Sequence, residues 1–180
     1  MQLQTGDIVL VDTEGVIPST IDKFQGNDWN HALMIIRVYG VTYAFEAIDS
    51  GIAFRPFSYY TDRKAKGEDI RLLSIRHKNP IWKDVSNGDL MNFCLPLTVG
   101  FYAKGNLIFK QPMKYIWKMF FDKELWVGGT AEEVIEKGNY ICGQLVCRVY
   151  NRFFDMFPEW VSSAPVDIFN HPDFTHKEIK

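Results

Sequence analysis

The chain has 180 residues, of which 47% are hydrophobic, 15% aromatic and 23% charged. One domain is the expectation at that length, with too much apolar content for a disordered chain. A net charge of −2 leaves no basic surplus for a dedicated nucleic-acid binder. In chain order, the apolar run Ile8 to Val11 after Gly6-Asp7 reads as a buried strand. Pro18-Ser19-Thr20 then opens a short helix ending near Gly26. His31–Val38 and Val41–Ile48 are two apolar runs joined through Tyr39-Gly40, and read as a hairpin. Gly51–Phe57 is expected as a strand stopped by Pro56, and Asp69–Arg76 as another after a charged loop, Thr61–Glu68. Ser86-Asn87-Gly88-Asp89 resembles a capping box ahead of Leu90–Leu95, and Thr130-Ala131-Glu132-Glu133 is a second. Pro112–Phe121 has helical spacing. Asn139 is expected to cap a helix running to about Phe157 and closed by Pro158, with the stripe Leu145, Val146, Val149, Phe153 and Phe154. A strand-rich first half followed by helices predicts an α+β fold in a single domain, residues 1–180.

No window approaches 18 uncharged apolar residues, so no membrane span is expected. The opening MQLQTGDIVLVD has no signal-peptide pattern, which predicts a cytoplasmic protein. Cys94, Cys142 and Cys147 are too few, and odd in number, for a disulfide framework. C-x4-C with no second spaced pair does not make a zinc site, so neither metal nor cofactor is expected.

The hairpin carries the most informative geometry. A turn at Tyr39-Gly40 makes paired residues sum to 79, setting Val38 opposite Val41, Leu33 opposite Glu46 and His31 opposite Ile48. Parity then puts His31 and Glu46 on one face as diagonal neighbours, with Cβ atoms roughly 7 Å apart. A carboxylate there would fix the imidazole tautomer and stabilise its protonated form. The bland alternative is a part-exposed His and a solvated Glu. Against it, Glu46 sits among Tyr43, Ala44, Phe45, Ala47 and Ile48, where a lone charge needs a partner.

Cys142 falls in the first turn of the expected helix, where unpaired amides and the helix dipole favour a thiolate. Position alone leaves it open whether Cys142 is a nucleophile or a buried core thiol. Gly143 beside it spares a substrate the crowding of a side chain. Cys147 lies about 140° further round the helix and reads as core, as does Cys94 beside Phe93 and Leu95. His77, His171 and His176 sit in polar surroundings and read as solvated.

Four blocks occur in order: Gly6-Asp7-Ile8-Val9-Leu10, Asn30-His31-Ala32-Leu33-Met34-Ile35-Ile36, Phe45-Glu46-Ala47, and Tyr140-Ile141-Cys142-Gly143-Gln144-Leu145-Val146. Together they resemble the circularly permuted papain-like amidases related to NlpC-type cell-wall hydrolases. The resemblance implies an antiparallel sheet or barrel packed against helices, with Cys142 as nucleophile, His31 as general base and Glu46 as orienting carboxylate. It departs at Gly143, often Ser in that family, and at Gln144, often acidic; both are expected to retune substrate choice. The implied function is a thiol hydrolase acting on an amide or ester, or an acyltransferase. The alternative is a non-catalytic papain-like module that binds a peptide or lipid.

An insert at about residues 95–126 precedes the nucleophile helix, with eight aromatics and five lysines against Asp122 and Glu124. It reads either as a helix packed on the core or as a lid or groove for an acyl chain or membrane surface. The expected partners are therefore a small-molecule, peptide or acyl-lipid substrate, with peripheral membrane contact and no nucleic acid.

Overall fold

The computed structural model describes residues 2–13, 29–48, 51–98, 101–102, 139–160 and 163–180. The fold is α+β. Strands β1 (Ile8–Thr13), β2 (His31–Val38), β3 (Val41–Ile48), β4 (Gly51–Pro56), β5 (Ile70–His77) and β8 (Phe174–Glu178) form one antiparallel sheet in the order β4-β3-β2-β1-β5-β8. Two short strands, β6 (Phe101–Tyr102) and β7 (Asn139–Tyr140), pair in parallel. The helices are α1 (Ser58–Ala65), α2 (Asn87–Leu97), α3 (Cys142–Phe154) and α4 (Pro165–Phe169), with a 3-10 turn at Ile81–Asp84. No helix among the described residues is long and apolar enough to cross a membrane.

Both faces of the central strands are covered, which is why Ile8 to Val11 is apolar without alternation. One face packs Ile8, Leu10, Met34, Phe45 and Ala47 against Leu145, Val146 and Val149 of α3. The other packs Val9, Val11, Leu33, Ile35 and Ala44 with Tyr60 of α1. The Gly6-Asp7 pair anchors β1. Gly6 has φ +90°, and the space a Cβ would fill is taken by the Trp82 ring, so only glycine fits. Asp7 is buried and held by Arg76, Nε to Oδ1 at 2.7 Å and Nη2 to Oδ2 at 2.6 Å. That bidentate pair ties the start of β1 to the end of β5.

The hairpin turn falls at Tyr39 and Gly40, both at positive φ (49° and 82°), as the twist-matched two-residue turn requires. The pairs run from Val38↔Val41 to Met34↔Phe45, the register the turn predicts. They stop there, so the extrapolated pairs Leu33–Glu46 and His31–Ile48 do not form. The open end of this ladder is where the site lies.

Several expectations are corrected. Residues 61–68 are not simply a charged loop: α1 covers Ser58–Ala65. Asn139 does not cap the long helix but sits in β7, and Ile141 is the N-cap residue. The helix stops at Phe154 because Asp155 turns left-handed (φ 52°), before Pro158 can act. The C-terminal tail holds α4 and β8, and β8 breaks the expected division into a strand half and a helix half. Ser86 does cap α2, its Oγ accepting from the Asp89 amide at 3.0 Å. The expected helices at 18–26 and 112–121, the cap at Thr130 and most of the 95–126 insert lie outside the described residues.

Candidate active site

His31 is the first residue of β2, and its neighbour Asn30 fixes where that strand begins. The Asn30 amide group donates to Asp12 Oδ1 at 3.0 Å and to the Thr13 carbonyl at 3.2 Å, while its backbone N–H donates to Val11 O. Cys142 is the first residue of α3. Past Met34↔Phe45 the β3 side of β2 is unpaired, and the Ala32 amide donates to the Cys142 sulfur, as does the Gly143 amide. The helix start thus enters the gap where the hairpin opens.

His31, Glu46 and Cys142 come together there. His31 Nε2 is 2.7 Å from Glu46 Oε2, leaving Nδ1 as the ring nitrogen for its hydrogen bond with the Cys142 thiol. His31 and Glu46 lie on the same sheet face, as the parity argument requires. The His31 side chain is 18% exposed and that of Glu46 fully buried.

The charges hold one another. Burial disfavours the imidazolium, yet the hydrogen bonds and charges of Cys142 and Glu46 override it and raise His31 to about 10. Burial likewise opposes the thiolate, but the His31 contact and the two amides bring Cys142 below its ordinary value. For Glu46, burial is outweighed by His31, then by Tyr60 and Arg55, and the carboxyl lies below its usual 4.5. The arrangement favours a thiolate–imidazolium pair backed by a carboxylate.

All three cysteines are buried, Cys142 included at 2% exposure. Electrostatics, not exposure, separates them. Burial pushes Cys94 up to about 12 and Cys147 higher still, its hydrogen bond with Ser163 notwithstanding.

Two supporting residues were not foreseen. Tyr60 is buried, and its hydroxyl donates to Glu46 Oε2 at 2.5 Å. Arg55 Nε lies 3.3 Å from Glu46 Oε1, an ion contact without hydrogen-bond geometry. The signal for them was the buried carboxylate itself, which obliges the fold to supply donors. The readings of Gly143 and Gln144 as substrate-facing are corrected. A Cβ on Gly143 would sit 2.8 Å from Ser163 O and from Ala164 Cα, so glycine lets that backbone pass close to the helix start. Gln144 Oε1 accepts from the Ile141 amide at 3.1 Å and caps the helix. His176 is exposed, as expected, with its ring resting on Phe169 at 4.6 Å, whereas His171 is half-buried, its ring packed on Phe157 at 4.9 Å.

Among the described residues, no group of three or more His, Cys, Asp or Glu side chains is placed to hold a metal ion. His31 has its two ring nitrogens turned to different partners, so the three side chains form a chain rather than a convergent ligand set.

No family model and no curated protein matches the sequence. Among solved structures, the chain is similar to a crystal structure described as metalloprotein yiiX from Escherichia coli O157:H7, DUF1105. The two share 15% identity at a TM-score of 0.56, over 98% of this chain and 97% of that one. At that identity the likeness speaks for the fold alone.

Proposed function

We propose that the chain is a thiol hydrolase of the permuted papain-like type, cleaving an amide or ester through an acyl-enzyme on Cys142. The observation that carries this reading is the ordered chain Cys142–His31–Glu46, in which the thiol is lowered and the imidazole raised by mutual contact. A buried core thiol has no use for an imidazole and a carboxylate aligned behind it. The block order from Gly6 to Val146 supports the same reading, as does the entry of the nucleophile helix at the open end of the His–Glu hairpin.

In the acylation step His31 holds the Cys142 proton and the thiolate attacks the acyl carbon. The carbonyl electron pair moves to oxygen, where the Cys142 backbone N–H at the helix start serves as a stabilising donor. The imidazolium then protonates the leaving amine or alkoxide as the C–N or C–O bond breaks, leaving a thioester. Water, deprotonated by His31, attacks the thioester; the acid leaves and the thiol regains its proton. Glu46 exchanges no proton with substrate. It keeps Nε2–H donating, so that Nδ1 faces the thiol.

The test is turnover of an activated acyl ester such as p-nitrophenyl butyrate. Cys142→Ala and His31→Ala should each abolish the enzyme-dependent rate. Wild-type turnover by Cys142→Ala would end this reading, and no turnover by the unmutated chain on any ester or amide would favour a non-catalytic binding module.

A further inference from the structure

Arg148 follows Cys142 by six residues on α3 and has no part in the chemistry above. Helical side chains lean toward the N-terminus, and this one lies against the ring of Tyr140, two residues before the helix. Its guanidinium carbon is 5.0 Å from the Tyr140 ring centroid, 5.4 Å from that of Trp160 and 5.6 Å from that of Phe93. Arg55, Arg63, Arg71 and Arg76 each have a carboxylate within 3.3 Å. No such pair involves Arg148 among the described residues, and its Nη1 is buried with no hydrogen-bond partner. The hydroxyl of Tyr140, itself 1% exposed, is also buried without a partner. Aromatic faces offset part of the cost of a desolvated cation, but they give nothing to N–H and O–H donors, which need an acceptor. Arg148 as a whole is part-exposed, while its Nη1 and the Tyr140 hydroxyl are themselves buried.

We infer that Arg148 and Tyr140 form a carboxylate-recognition subsite next to the nucleophile, so that the preferred substrate carries a free carboxylate beyond its scissile bond. The inference rests on the reading of Cys142 as nucleophile. Tyr140 precedes Cys142 by two residues, so their Cα atoms are at most about 7 Å apart, and the guanidinium lies against its ring. One guanidinium edge and one phenol match a monoanion with two oxygens. A phosphate dianion would call for a second cation.

The probe is N-butyryl-β-alanine, compared with its neutral N-methylamide and with inorganic phosphate, titrated calorimetrically into the full chain and into Cys142→Ala. The acid should bind both proteins equally and at least about tenfold more tightly than the amide, as charge-assisted hydrogen bonds imply. Arg148→Met should erase that preference, and Tyr140→Phe should reduce it severalfold. Equal binding of acid and amide to the unmutated chain, no binding of the acid, an undiminished preference in folded Arg148→Met, or tighter binding of phosphate would each overturn the proposal. Cys142→Ala cannot react, so the two readings fail separately. Ester turnover without acid preference faults the subsite, and acid preference without turnover faults the nucleophile.

Discussion

Replacing Glu46 with Gln should move the pH at which Cys142 becomes a thiolate. Glu46 Oε2 lies 2.7 Å from His31 Nε2, with the carboxylate fully buried, so water does little to screen the contact. A buried hydrogen bond to a charged group contributes about 1.5–3 kcal/mol, and about 1.4 kcal/mol corresponds to one pKa unit. Removing the charge while keeping the shape should therefore cost the imidazolium about 1–2 units, bringing His31 down from about 10. The thiol depends on that cation, so its titration should move upward by a similar amount, the midpoint belonging to the pair rather than to either residue. The assay is the rate of Cys142 carboxamidomethylation by iodoacetamide against pH, read by peptide mass spectrometry. Wild type should show a midpoint below the ordinary thiol range, Glu46→Gln a midpoint about 1–2 units higher, and His31→Ala one higher again. An unmoved midpoint in Glu46→Gln, or a wild-type midpoint no lower than that of a free cysteine, would refute the coupling.

Tyr60→Phe removes the donor to Glu46 Oε2 and should cost about 1.5–3 kcal/mol in urea unfolding; an unchanged midpoint of unfolding would show that the hydrogen bond contributes nothing. Gly143→Ala sets a methyl 2.8 Å from Ala164 Cα and Ser163 O, backbone that cannot step aside, and should destabilise by about 1–3 kcal/mol despite alanine's better helix propensity; a neutral or stabilised variant would contradict that packing. Because Glu46 is depressed below 4.5 on folding, the stability it contributes is complete above that value and lost as pH falls through the lower folded one. Acid unfolding followed by circular dichroism should accordingly be steeper below pH 4.5 in wild type than in Glu46→Gln, and parallel curves would exclude the linkage. Finally, Cys142→Ala/His31→Ala should hydrolyse an activated ester scarcely more slowly than either single variant, since the two act as a unit; additive losses would mean independent roles.

The hairpin was legible because its turn is local chemistry. Tyr39 and Gly40 take the positive φ the turn needs, and alternation does the rest, bringing His31 and Glu46 to one face. Where the ladder ends was not legible, because α3 decides it from far along the chain. Helix α1 was hidden for a similar reason. Only Tyr60 is buried in it, so charges at Asp62, Arg63 and Lys64 mask any stripe, and the partner of Glu46 went unseen with it. Strand β8 has one buried residue, Phe174, and exists through its pairing with β5. Gly143 and Gln144 were read as neighbours of a substrate because the close pass of Ser163-Ala164 and the cap on Ile141 are tertiary facts with no local trace.

The most direct test of the thiol mechanism is to trap the acyl-enzyme. Brief exposure to an activated acyl ester at neutral pH, acid quench and peptide mapping by mass spectrometry locate the acyl group. A thioester on Cys142 should form in wild type, be absent in His31→Ala, and leave Cys94 and Cys147 unmodified. Acylation of Cys147 or Cys94 in its place, equal acylation of all three, or acylation of Cys142 undiminished in His31→Ala would contradict the mechanism.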